Sequence, residues 1–176
     1  MHRFIIALTL VLFVSTIGYA QFPKPVKEHE VLKHEVGNWA GGVKFYAQGP
    51  DADPIESKGN EVIEMVGGFW AVGKYKGSLL GQPFSGQSTL GYDTNKKKYV
   101  GFWVDSFTSS LMEMEGTYDA DKKTMTILTK GVEPNGEPNK GKMIVVYGKD
   151  SKKMTMFATH EKTDIKVMEI SYTRKK

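Results

Sequence analysis

The chain of 176 residues contains no cysteine. That absence excludes a disulfide framework, a thiol nucleophile, thiolate metal ligands and the lipidated cysteine of a bacterial lipoprotein. A long apolar run is also missing. The most hydrophobic stretch, Phe4 to Val14, is about half the ~20 residues a spanning helix needs. Arg3 precedes it and the small residues Gly18 and Ala20 follow, a pattern that predicts an export signal over residues 1–20. The remainder, 21–176, is long enough for one domain around one core, and is expected to be soluble in the periplasm or extracellular medium. No strong charge of one sign is present. The formal net charge is +4, with lysines scattered through turns, so nucleic acid is not an expected partner. Nothing in the sequence calls for a cofactor or specifies an oligomeric state.

What the sequence does contain is extended segments and turns. VKEHEVLKHEV, residues 26 to 36, sets Val31, Leu32 and Val36 near one face at helical spacing and predicts a short amphipathic helix. After it, runs rich in Val, Ile, Tyr, Phe, Trp and Thr alternate with turn signals every eight to twelve residues. Ten strands are predicted, over 39–47, 57–66, 69–77, 84–92, 97–105, 110–118, 123–130, 140–148, 152–160 and 166–174. Three turns share a pattern: YDTNKKK from Tyr92, YDADKKT from Tyr118 and YGKDSKK from Tyr147. Their Asp, Asn and Ser side chains suit the turn backbone, and their lysines keep strand ends in water. If the strands run up and down, these turns fall at one end with Gly67 and Gly68. The longer loops, including QGPDADPIE and GVEPNGEPN, fall at the other, which makes that end the mouth of an antiparallel ten-stranded barrel with the short N-terminal helix expected at the closed end.

Alternation then assigns faces. Trp39, Val43 and Phe45 point inward. Met154, Met156, Ala158 and His160 share a face, and so do Lys166, Met168, Ile170, Tyr172 and Arg174; a three-residue loop would set His160 opposite Lys166 at the mouth. In YVGFWVD, alternation alone does not choose between the face of Tyr99, Trp103 and Asp105 and that of Val100, Phe102 and Val104. Lys98 lies on the valine face and belongs in water, which favours tryptophan inward. Asp105 then joins His160 and Lys166 over an apolar interior. The expected ligand-contacting set is Trp103, Asp105, Met112, Met156, His160, Lys166 and Met168.

Other motifs are weak. His29 and His34 are at i and i+5, about 140° apart on a helix, whereas a zinc-protease pair needs i and i+4; a solvated or capping role is the simpler account. GQSTLG lacks the Lys-Ser/Thr of a phosphate loop, no G-x-S-x-G frames Ser85 or Ser88, and DADP lacks the rest of a calcium loop. Nine methionines, among them Met112 with Met114 and Met154 with Met156 at strand spacing, suit pliable apolar packing. They are also chemically able to bind copper(I).

EHEVLKHEVGNW, GGFW, GQPFSGQSTLGYDTNKKKYVGFWVDS, MEGTYDADKKTM and KVMEISYTRK, in that order between Pro25 and Lys175, resemble an uncharacterised bacterial family known as domain of unknown function 1579. EPNGEPNKG departs from it, since members tend to show an Asp-Pro-x-x-Gly turn there. The resemblance implies a distant calycin, a lipocalin-like all-β barrel in which a Gly-x-Trp on the first strand packs against an arginine on the last. Gly37, Trp39 and Arg174 occupy those positions, and the up-and-down strand count puts Trp39 and Arg174 at one closed end, where a cation–π plug is expected. The expected function is binding a small apolar or amphipathic ligand. Alternatives are a hydrolase or isomerase using Asp105, His160 and Lys166, a haem or copper site built on His160 and methionines, and a filled structural barrel.

Overall fold

The computed structural model describes residues 22–133 and 136–176, so the expected export segment lies outside the described residues. A 3-10 helix, Lys27–His34, precedes ten strands: β1 (Gly37–Phe45), β2 (Ile55–Val66), β3 (Trp70–Leu79), β4 (Gln82–Asp93), β5 (Lys98–Asp105), β6 (Met112–Asp119), β7 (Thr124–Val132), β8 (Pro138–Tyr147), β9 (Ser151–His160) and β10 (Thr163–Arg174). Each pairs antiparallel with its neighbours in sequence, and β10 pairs with β1, so the sheet closes without an edge. The all-β, ten-stranded up-and-down barrel expected from the turn spacing is the architecture observed. No described helix is long and apolar enough to cross a membrane.

Local chemistry explains the connections. Asp93 Oδ1 accepts from the backbone N–H groups of Asn95 and Lys96 at 2.8 and 3.0 Å, and Asp119 Oδ1 does the same for Asp121 and Lys122 at 3.1 and 3.0 Å. Each turn then ends on a left-handed lysine, Lys97 at φ 53° and Lys123 at φ 48°. The third tyrosine-led turn differs, because glycine stands where the others have aspartate; Gly148 N–H donates instead to the Ser151 carbonyl at 2.8 Å. At the opposite end the connections expected over 78–83 and 161–165 are tighter than their sequences suggest. Leu80 and Gly81, both at positive φ, join β3 to β4, and two residues, Glu161 and Lys162, join β9 to β10.

The helix seals the end that carries the tyrosine-led turns, as expected. His29 is buried and set edge-on to Phe69 and Tyr92, while His34 stacks on Tyr118 and Tyr147. Tyr99 hydroxyl donates to the Glu28 carbonyl at 2.9 Å. All three tyrosines that open the repeated turns thus pack on the helix histidines. His29 Nδ1 also accepts from Val26 N–H at 3.0 Å, so it caps the helix, but from a buried position and not a solvated one.

Trp39 faces Arg174 across the β1–β10 seam, with the guanidinium carbon 4.1 Å from the indole centroid. Arg174 Nη1 donates to Val36 O at 2.6 Å, and Trp39 Nε1 to Glu35 O at 2.7 Å. Gly37 has φ +136°, and a Cβ there would collide with Arg174 Nη1. The three residues form the expected closed-end plug.

Candidate functional site

Inward-facing residues leave a cavity of about 620 Å³ that opens at the end opposite the helix. Its walls are aliphatic, aromatic and thioether: Val43, Ile63 and Leu90 are joined by Phe84, Trp103 and, from β6 to β10, six methionines with four branched residues, Ile127, Val132, Val145 and Ile170. Leu80, Phe107, Leu111 and Val132 stand half-exposed around the mouth. β5 presents Trp103 inward and Phe102 and Val104 outward, the orientation favoured because Lys98 belongs in water.

Five of the seven expected contact residues line this cavity: Trp103, Asp105, Met112, Met156 and Met168. The other two do not. β9 and β10 pair Met156 with Met168 and Met154 with Ile170, two residues out of the expected register, because the loop has two residues and a bulge at Val167 separates Lys166 from Met168. A bulge breaks alternation, so Lys166 lies opposite Phe157 on the outside, its Nζ 4.1 Å from the Tyr46 ring centroid. His160 is exposed beside the tight turn and outside the lining. The expected Asp105, His160 and Lys166 cluster is therefore not assembled, and His160 does not meet the methionines.

Asp105 has a local task. Its Oδ1 accepts from the N–H groups of Phe107 and Thr108 at 2.8 and 3.1 Å, and its Oδ2 accepts from Trp103 Nε1 at 2.9 Å. One carboxylate thus closes the 106–109 turn and fixes the indole that forms part of the wall.

The polar chemistry lies at the floor. Lys152 Nζ reaches Glu35 Oε2 at 2.6 Å and Glu61 Oε2 at 3.1 Å, and it sits 5.0 and 4.7 Å from the Trp39 and Tyr172 ring centroids. Lys152 is 5% exposed and Glu61 7%. Tyr147 hydroxyl donates to Glu35 Oε1, and the Tyr172 hydroxyl approaches Glu61. Burial pushes the Glu61 carboxyl above its ordinary value, against the lowering effect of Lys152. For Lys152, burial alone would lower the pKa, but the two carboxylates outweigh it and the ammonium is held above its ordinary value. Sequence reasoning missed this trio although alternation contains it: Glu61 shares a face with Ile63, and Lys152 with Met154 and Met156. A charged residue in phase with an apolar face was the available signal.

A family model described as protein of unknown function (DUF1579) matches residues 24–174. Among curated proteins no match is found. The chain is similar in fold to the crystal structure of Rv2717c from M. tuberculosis, with a TM-score of 0.61 at 15% identity, covering 86% of this chain and 99% of that one. It is also similar to the S-type phycobiliprotein lyase CPES from Guillardia theta, with a TM-score of 0.54 at 13% identity, covering 86% and 94%. At these identities the likeness is one of fold.

Proposed function

Since the chain belongs to the protein family of unknown function DUF1579, its role has to come from its own barrel, and we propose that it binds a small apolar or amphipathic molecule inside that barrel. The supporting observation is the cavity itself. Its volume, about 620 Å³, falls in the range of ~300–1,000 Å³ typical of small-molecule sites, and apolar walls with a few convergent polar groups are their usual make-up. A core packed for stability alone would fill such space, because voids cost stability. A fold shared with a phycobiliprotein lyase is in keeping with a barrel that takes a ligand.

Trp103, Asp105, Met112, Met156 and Met168 are the ligand-contacting residues of this proposal, with Glu61 and Lys152 at the floor. His160 and Lys166 drop out of it. The apolar stretch Phe4 to Val14 with Gly18 and Ala20 supports export of the chain.

Titration with 1-dodecanol, followed by Trp103 emission and with Trp103→Phe as control, tests the pocket. Saturable binding at one molecule per chain is expected, and Met156→Trp, which fills the cavity, should weaken it about tenfold or more. Absence of saturable binding, or equal binding by the filled variant, would defeat the proposal. Native mass spectrometry of protein purified from its own host would give the mass of the resident molecule.

A further inference from the structure

We propose that the cavity selects cationic amphiphiles, an aliphatic chain ending in a protonated amine, with the ammonium seated at the floor against Glu61 and Ser88. The proposal rests on the ligand-binding role of the same cavity and names the class of ligand.

Charge is the first ground. Among the described residues the cavity lining carries four carboxylates, Glu35, Glu61, Asp105 and Glu133, and one cation, Lys152. The chain as a whole carries +4. A basic protein has thus gathered an acidic lining into a low-dielectric cleft, where the field is focused and reaches an incoming charge with little screening.

Geometry is the second. Lys152 is already committed, since it holds two carboxylates and lies between the Trp39 and Tyr172 rings. It has no free role as counterion to a ligand carboxylate. Glu35 is likewise engaged by Lys152 and Tyr147. Glu61 is held by Lys152 at Oε2 and approached by the Tyr172 hydroxyl, yet it differs from Glu35 in that its Oε1 leans over Gly73 toward β4. A Cβ on Gly73 would stand 3.2 Å from Glu61 Oε1 and 2.5 Å from Ser88 Oγ, so two oxygens converge above a residue that has no side chain. Both line the cavity. An ammonium there would gain two acceptors and supply the positive charge that a floor of two carboxylates and one lysine lacks. Burial already holds the Glu61 carboxyl above its ordinary value, and a cation beside it offsets that penalty. Tyr75 and Phe84, which meet edge to face with centroids 5.9 Å apart, add aromatic surface along the way down.

Three probes with one chain length separate the head from the tail: dodecylammonium, 1-dodecanol and dodecanoate, titrated below their aggregation concentrations at pH 7. The ammonium should bind about tenfold tighter than the alcohol, and dodecanoate more weakly than either. Glu61→Gln should abolish the advantage of the ammonium over the alcohol, read as the ratio of the two dissociation constants within that variant. Ser88→Ala, a milder change, should reduce that advantage in part. If dodecanoate binds as well as dodecylammonium, or if Glu61→Gln folds and keeps the same preference, the amine site is wrong. Binding of the alcohol with no preference among heads would leave the pocket standing and remove this inference alone. Failure of all three probes would remove both. Should Glu61→Gln not fold, the ranking of the three probes on the unaltered protein still decides.

Discussion

Two charged residues of opposite sign perform different work in this barrel. Lys152 is a buried cation whose removal would strand Glu35 and Glu61 without their partner. Lys152→Met should therefore cost about 3–5 kcal/mol, read as a fall in the urea midpoint, because an uncompensated buried charge is more expensive than a missing attraction. Adding Glu61→Gln to that variant should recover part of the loss; no recovery would mean that the two sites do not interact. Asp105, by contrast, bonds to backbone N–H groups and to an indole. Asp105→Ala should lose about 1–2 kcal/mol and shift the Trp103 emission, whereas Asp105→Asn, which keeps the turn acceptor at Oδ1 but sets an amide N–H against the Trp103 Nε1–H, should lose less. Equal destabilisation by both substitutions would show that turn closure is not what Asp105 contributes.

Among the elements, the β1–β10 seam and the β9–β10 hairpin mark how far the sequence is legible. At the seam, Gly37→Ala should cost about 1–3 kcal/mol, since φ +136° disfavours any Cβ and the new methyl would displace the Arg174 guanidinium from its place beside Trp39. A thermal melt unchanged by the substitution would refute the plug. That contact is readable from sequence because both residues lie on regular strands whose ends are counted from clear turn signals. The ten strands and the inward face of β5 follow in the same way, from period-two alternation with lysines held in water. At the hairpin, alternation fails for a physical reason. One bulged residue, Val167, reverses the face of every position on one side of it, and nothing in DIKVMEI distinguishes a bulge from a regular strand. Lys166 was lost to the site by that single residue. Glu61 and Lys152 are legible in the same way, as charges in phase with apolar residues on their strands, and they lie at the cavity floor, away from the mouth loops.

For the molecule as a whole, the closed end stores protons that the unfolded chain gives up at high pH. Burial, reinforced by Glu35 for Tyr147 and by Glu61 for Tyr172, holds both phenols well above the ordinary value of 10.0. Lys152 is held above 10.5 by its two carboxylates. Above pH 10 the unfolded chain releases these protons while the folded barrel keeps them, so the folded state binds more protons and its stability must fall as pH rises. Below pH 10 the contribution is complete. Each such proton adds about 1.4 kcal/mol per pH unit to the slope. Melting temperature should therefore decline steeply between pH 10 and 11.5, and Tyr172→Phe, which has no proton to lose, should be less stable at pH 8 yet show a shallower alkaline decline. The acid side works differently. Asp93, Asp119, Asp164, Glu115 and Glu169 are lowered by hydrogen bonds and ion pairs, and so stabilise the fold above pH 4.5 and less below it, while Glu61, raised by burial, acts in the opposite sense. The first five lie at the surface, partly exposed, and solvent screens their pull, which leaves a shallow acid limb beside a steep alkaline one. A Tyr172→Phe variant whose alkaline limb is as steep as that of the unaltered protein would place the retained protons elsewhere than at the cavity floor.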